Sequence, residues 1–246
     1  MDNVIAGFRA ASNKLVLLDY DGTLTDFASV PEHAILSERA SNLLLKLSGK
    51  PQTETVIITG RSHQDIDRLV GHLPINIVAE HGAMIKEKGS WSERIKDNGA
   101  WKQEILADIS HAAKQCPHSF IEEKRFSLCW HYRNVEQSLG YDSSRELIEL
   151  LKNKTSTHNL RIIDGNKVVE VVSLQTDKGQ AAQYLCQKDN YDFVVSIGDD
   201  KTDEDMFAAL ADEEKHFTIK VGQGNTSARY RLAGVGDVIQ FLELLL

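Results

Sequence analysis

The chain has 246 residues, of which 41% are hydrophobic, and a formal net charge of -8; this supports one substantial core and a smaller second one. Its lysines and arginines are scattered, which excludes a massed nucleic-acid surface, and no apolar stretch approaches the roughly 20 residues that span a bilayer. Cys116, Cys129 and Cys186 form no zinc-type spacing and read as thiols of a reducing compartment, and residues 1–9 lack a basic-then-apolar leader, so the expected location is the cytoplasm.

In chain order, an apolar β-rich run at 15–18 is followed by helical periodicity at 37–47, a run at 56–59, and a helix at 62–70 behind a Ser62/Asp65 capping pair. A further run lies at 75–79. The rhythm then changes to a helix near 101–114, a strand-like 120–132 and a helix near 143–152. Two β-branched runs over 160–172, broken at Asp164-Gly165-Asn166, predict a hairpin. The earlier alternation resumes with a helix at 178–187, runs at 193–197 and 217–221, and a closing helix at 237–246 that is too short for a membrane. The expected fold is α/β, a Rossmann-like doubly wound parallel core over 1–98 and 174–246, interrupted by an α+β cap domain over 99–173.

Ligands of open α/β sheets sit beyond the carboxyl ends of the strands. Three apolar runs end in polar groups: 15–18 in Asp19-Tyr-Asp21-Gly22, 56–58 in Thr59-Gly60-Arg61, and 194–197 in Gly198-Asp199-Asp200-Lys-Thr202-Asp203. Lys178 opens the helix before the last of these. Carboxylates gathered this way repel unless a cation joins them, and a hard ion with oxygen ligands, most simply Mg²⁺, resolves the conflict. The metal and Lys178 would then neutralise a phosphoryl group held against Asp19.

These residues resemble the four motifs of the haloacid-dehalogenase-like phosphatases. That resemblance implies that Asp19 attacks phosphorus and Asp21 serves as general acid and then base. It also implies that Gly22, Thr59, Gly60 and Lys178 bind the phosphoryl oxygens, that Asp19, the Asp21 carbonyl and Asp199 hold Mg²⁺, and that Asp200 and Asp203 stand behind them. Further wording is similar to the trehalose-6-phosphate phosphatase family: Ala79-Glu-His-Gly82, His131-Tyr-Arg133, Val169-Glu-Val171, Asp177-Lys-Gly179 and the run from Val221 to Leu232. The family implies hydrolysis of trehalose 6-phosphate, functional pairing with a synthase of that substrate, and sugar contacts at Arg61, Glu122, Lys124, Arg133 and Glu170.

Two departures stand out. Val172-Ser173 occupies the place of the family's usual Arg-Pro, and in a regular strand Arg133 would face away from Glu122 and Lys124.

Several of these residues also have plainer readings. Asp19-Tyr-Asp-Gly imitates a calcium loop, but the twelfth position is Val30 rather than a carboxylate. Ser62 reads as a helix cap, Thr202 with Asp205 as another capping pair, and His81 as a loop brace. Trp130, Phe126 and Leu128 read as cap core. Competing functions are a phosphatase for another glycoside or polyol phosphate (sucrose, mannosylglycerate, glucosylglycerol), or a catalytically silent sugar-phosphate sensor.

Overall fold

The computed structural model describes residues 1–28 and 30–246. Contacts divide the chain into two units, Met1–Arg94 with Asp177–Leu246, and Ile95–Thr176. The breaks expected after residues 98 and 173 lie a few residues from these.

The first unit begins with α1 (Asp2–Ala10), β1 (Lys14–Leu18), α2 (Glu38–Ser48), β2 (Thr53–Ile58), α3 (His63–Val70), β3 (Asn76–Ala79), β4 (Met84–Glu87) and β5 (Ser90–Glu93). The second unit contains α4 (Lys102–Gln115), β6 (Phe120–Glu123), β7 (Ser127–His131), α5 (Gln137–Thr157), β8 (Leu160–Gly165) and β9 (Val168–Ser173). The first then resumes with α6 (Lys178–Cys186), β10 (Phe193–Gly198), α7 (Lys201–Ala209), β11 (His216–Val221), β12 (Tyr230–Leu232) and α8 (Val235–Leu244).

The first unit's sheet runs β12-β11-β10-β1-β2-β3-β4-β5, parallel from β12 to β3 and antiparallel thereafter. Its centre is β1, whose Leu15, Val16, Leu17 and Leu18 are all fully buried. Burial on both faces explains why the strand reads as an unbroken apolar run rather than an alternation. On one face, Leu15, Leu17, Val56 and Ile58 pack with Ala181, Ala182 and Leu185 of α6 and with Met206 and Phe207 of α7.

The second unit's sheet is antiparallel, in the order β6-β7-β9-β8. Leu128, Trp130, Val169 and Val171 on one face form a core with Ile105 and Ile109 of α4 and Leu147 and Leu151 of α5. The core placement expected for Leu128 and Trp130 holds; Phe126 is buried as well, but in the turn before β7.

Several expectations need correction. The segment 120–132 is a hairpin, not one strand, because Lys124 N–H bonds the Ser127 carbonyl at 3.0 Å and turns the chain. α5 starts earlier than 143 because the Glu136 carboxylate caps it, accepting from the Ser138 and Leu139 amides. α7 is capped by Asp200 and Asp203 rather than by Thr202 and Asp205: Asp200 accepts from the Thr202 and Asp203 amides, and Asp203 accepts from the Asp200 amide. Ser62 caps α3 through the Asp65 amide, as its spacing predicts. Among the described residues no helix is long and apolar enough to cross a membrane.

Candidate active site

Register brings the polar strand ends together. Leu18 of β1 lies beside Ile197 of β10 and Ile57 of β2, so the residues that follow these strands emerge along one edge of the sheet. Asp19 leaves β1 with its amide still on the Ile197 carbonyl, at 2.9 Å. Lys178 is the first residue of α6, whose N-cap Asp177 accepts from the Gln180 amide. A lysine at a helix start opposes the helix dipole, so its position needs another cause. That cause is a double ion pair: Nζ donates to Asp19 Oδ1 at 2.7 Å and to Asp203 Oδ1 at 2.8 Å.

Lys178 is 2% exposed, Asp19 5% and Asp203 0%. Burial pulls the Lys178 ammonium down, but Asp19 and Asp203 outweigh it, and its pKa stands well above the usual lysine value. Burial pushes the Asp19 carboxyl up; Lys178 opposes this, while Asp203, Asp199 and Asp200 add to it.

Asp203 has its second oxygen occupied by the Asp199 and Asp200 amides, at 2.9 and 3.0 Å. It therefore holds the turn that presents Asp199 and steadies Lys178. Asp199 differs from it. Its Oδ1 is buried with no hydrogen-bond partner among the described residues, and burial together with Asp200 and Asp203 raises its pKa to about 7. One carboxylate oxygen each from Asp19, Asp199 and Asp203 lies within 4.8 Å of the others. A buried, unpartnered carboxylate oxygen among repelling neighbours fits an oxygen-ligated divalent cation.

Gly22 makes this approach possible. Its φ is +80°, and a Cβ there would lie 2.4 Å from the Asp199 carboxylate carbon. Its amide donates to the Thr25 carbonyl at 2.7 Å, so Gly22 contributes shape rather than the phosphate-binding amide expected of it.

Asp21 and Arg61 meet in a bidentate pair: Nε and Nη2 donate to the two carboxylate oxygens, both at 2.7 Å. Arg61 also donates to the Pro31 carbonyl at 2.8 Å, while its Nη1 is buried with no hydrogen-bond partner among the described residues. Thr59 is 1% exposed, and its hydroxyl oxygen accepts from the Arg61 amide at 3.2 Å, which leaves its proton to donate elsewhere. His81 braces this loop, as expected. Its amide donates to the Thr59 carbonyl at 3.0 Å, and its ring lies so close to Gly60 that a Cβ there would stand 2.4 Å from Cε1.

Sequence reasoning missed Lys220, 5% exposed at the end of β11, whose ammonium donates to the Asp199 carbonyl. The available signal was a lysine set between Ile219 and Val221 in a strand-like run beside β10, where Gly198 pairs with Lys220.

In the second unit the expected sugar contacts also group together. Lys124 Nζ donates to Glu170 Oε1 at 3.0 Å, with side chains 7% and 6% exposed, and Ser127 Oγ donates to the same oxygen at 2.6 Å. Glu122 Oε2 lies 2.7 Å from His131 Nε2. Burial pushes Glu122 up, but Lys124 and the His131 hydrogen bond outweigh it and hold the carboxyl below its usual range. The hairpin also removes the parity objection. Register pairs Glu122 with Cys129, so the odd positions of β7 share its face. Arg133 lies past the end of β7 and donates to the Asn166 carbonyl at 2.7 Å.

A sequence model of the family described as trehalose-phosphatase matches residues 17–235. The chain belongs to the trehalose-phosphatase family. Over 246 residues it is 35% identical to a bifunctional trehalose-6-phosphate synthase/phosphatase of Thermoproteus tenax, covering 100% of this chain and 33% of that protein. It is 33% identical over 231 residues to a trehalose-phosphatase of Saccharomyces cerevisiae, covering 84% of this chain and 26% of that protein. The chain thus spans a third or less of the length of these family members. Among solved structures, the C-terminal domain of Candida albicans trehalose-6-phosphate phosphatase superposes with a TM-score of 0.94 at 26% identity, covering 99% of this chain and 95% of that one.

Proposed function

We propose that the chain is a Mg²⁺-dependent phosphatase that hydrolyses trehalose 6-phosphate to trehalose and phosphate through an aspartyl-phosphate on Asp19. The observation that carries this reading is Lys178 Nζ bridging Asp19 and Asp203 in a buried site, next to the unpartnered Asp199 oxygen. Asp19, the Asp21 carbonyl and Asp199 would hold the cation, which when bound offsets charge on the phosphoryl oxygens.

The chain's own groups then divide the work. An Asp19 carboxylate oxygen attacks phosphorus, the bond to the sugar oxygen breaks, and Asp21 gives that oxygen its proton. Asp21 next takes a proton from water, which attacks phosphorus and breaks the Asp19–phosphorus bond, releasing phosphate. Lys178, with three N–H donors and two in use, has one left for a phosphoryl oxygen. The Thr59 hydroxyl supplies a second donor. Arg61 must exchange Asp21 for a substrate oxygen before Asp21 can act, and its buried Nη1 is a donor suited to that exchange.

Glu122, Lys124 and Glu170 offer both donors and acceptors to sugar hydroxyls, with Arg133 as a further contact, and units Ile95–Thr176 and Met1–Arg94/Asp177–Leu246 would act as cap and catalytic core. The pairing of synthase with phosphatase in the Thermoproteus tenax relative's name supports a substrate handed on by a synthase. The three free cysteines support a cytoplasmic location.

Phosphate release from trehalose 6-phosphate, compared with sucrose, mannosylglycerate and glucosylglycerol phosphates, tests the substrate. Comparable kcat/KM across that panel removes the trehalose assignment. Asp19→Asn is expected to abolish turnover; full activity in that variant defeats the mechanism.

A further inference from the structure

We infer that the end of β2 remote from Thr59 carries a second binding site, for a neutral mono- or disaccharide. Strand lengths make the space. β2 pairs with β1 from Thr53 onward, but β3 joins it only at Val56, opposite Asn76. Thr53, Glu54 and Thr55 therefore have no strand partner on the β3 side among the described residues, and they line a cleft of about 390 Å³ there. All of its lining belongs to unit Met1–Arg94/Asp177–Leu246. At about 3.3 Å per residue, Thr53 and Thr59 stand roughly 20 Å apart, so the cleft is distinct from the phosphoryl site.

Two features are those of a ligand site. Glu54 is held in place from two sides: Asn76 Nδ2 donates to Oε1 at 2.7 Å, and the Tyr191 hydroxyl donates to Oε2. Each carboxylate oxygen keeps a lone pair for a further donor. Burial and the Glu54 hydrogen bond push the Tyr191 phenol up, so it stays a neutral donor. Thr55, also in the lining, is 3% exposed, and its hydroxyl has no hydrogen-bond partner among the described residues. An unpaired buried hydroxyl destabilises a fold, and valine would fill the same strand position without one. A ligand hydroxyl entering the cleft accounts for threonine here.

The lining selects the ligand. Against the carboxylates of Glu54 and Asp189 stands one cation among the described residues, Lys50, whose ammonium already donates to the Leu246 carbonyl at 2.7 Å. Phosphates and other anions are therefore disfavoured. Among the described lining residues only Pro74 and the Tyr191 ring are apolar, too little for a nucleobase or an acyl chain. What remains is a set of amides, hydroxyls and carboxylates that offers both donors and acceptors to sugar hydroxyls. The volume falls within the range of small-ligand sites, about 300–1,000 Å³.

Glucose and trehalose are the probes, titrated into the full chain while backbone amide shifts are followed by NMR. Shifts at residues 53–55, Asn76 and Tyr191 that saturate at millimolar sugar are expected, with none there from inorganic phosphate. Trehalose lodged among the sugar contacts of the second unit would instead shift residues 120–133 and Glu170. Thr55→Val should raise the urea midpoint of the sugar-free chain and weaken sugar binding about threefold or more. Glu54→Gln should weaken it about tenfold, and both variants should keep native circular dichroism. No saturable shift from either sugar at these residues, equal shifts from phosphate, or unchanged affinity in both variants would overturn the assignment. So would a lowered midpoint in Thr55→Val, which would mean that the hydroxyl has its partner within the fold. None of these readouts depends on turnover, so the phosphatase reading stands or falls separately.

Discussion

In the proposed role of Asp199 a proton and a cation would compete for its carboxylate. With its pKa raised to about 7 by burial and by Asp200 and Asp203, this carboxyl is largely protonated in the metal-free fold below neutrality. An unfolded aspartate titrates near 3.9, so the folded state binds the extra proton between about pH 4 and 7. The contribution to stability is therefore full below about pH 4 and lost as pH rises through 7. A divalent metal bound at Asp199 would reverse that loss by taking the proton's place. Apparent Mg²⁺ affinity, measured by calorimetry, should rise up to about tenfold per pH unit below 7 and level off above it. An affinity flat from pH 5.5 to 8 would remove Asp199 from the ligand set. Gly22→Ala forces a side chain into a left-handed conformation and against Asp199, so a loss of about 1–3 kcal/mol is expected in denaturant unfolding, together with weaker Mg²⁺ binding. Of these residues, Asp19, Asp199 and Lys178 were legible because each stands at a strand end or a helix start where a polar group has no packing reason to be. The Asp21–Arg61 pair and Lys220 were not, because nothing in one sequence says which opposite charges, 40 positions apart, will meet.

At the scale of elements, the β6–β7 hairpin is where reading and structure part. Its turn, Lys124-Arg125-Phe126, holds no glycine or proline, so the usual punctuation is missing and two short strands read as one. The β8–β9 hairpin, turning at Asn166-Lys167 directly after Gly165, has that punctuation and was found. The buried parallel strands of the first unit were equally plain, since their apolar runs have no alternative use. Between the β6–β7 turn and β9, Lys124 and Glu170 form an ion pair almost out of solvent. Lys124→Met leaves the Glu170 charge uncompensated and should cost about 3–5 kcal/mol, while Lys124→Met with Glu170→Leu should recover most of it. Urea midpoints of the single and double variants check this; equal destabilisation by both would mean the charges are not coupled.

For the molecule as a whole, the two units differ in how their sequence is laid out. Unit Ile95–Thr176 is continuous and owns a core built around Trp130, Ile105, Leu147 and Val171, so that stretch expressed alone should fold cooperatively, with a dispersed amide spectrum. The fragment Met1–Arg94 lacks β10, β11 and β12, which leaves the hydrogen-bonding edge of β1 bare, and it should remain unfolded under the same conditions. A folded 1–94 fragment or a molten 95–176 fragment would each contradict this division.

The position of β1 between β2 and β10 also sets a timetable for synthesis. On a ribosome Asp19 emerges well before its neighbour strand β10 and Asp199, which are made more than a hundred residues later, after the whole intervening unit. That unit can therefore fold while the β1 edge is still waiting, and the charged cluster is assembled only once Lys178, Asp199 and Asp203 have left the exit tunnel. A nascent product that stops before Lys178 consequently lacks the assembled cluster, even with β1 and the whole of the intervening unit present.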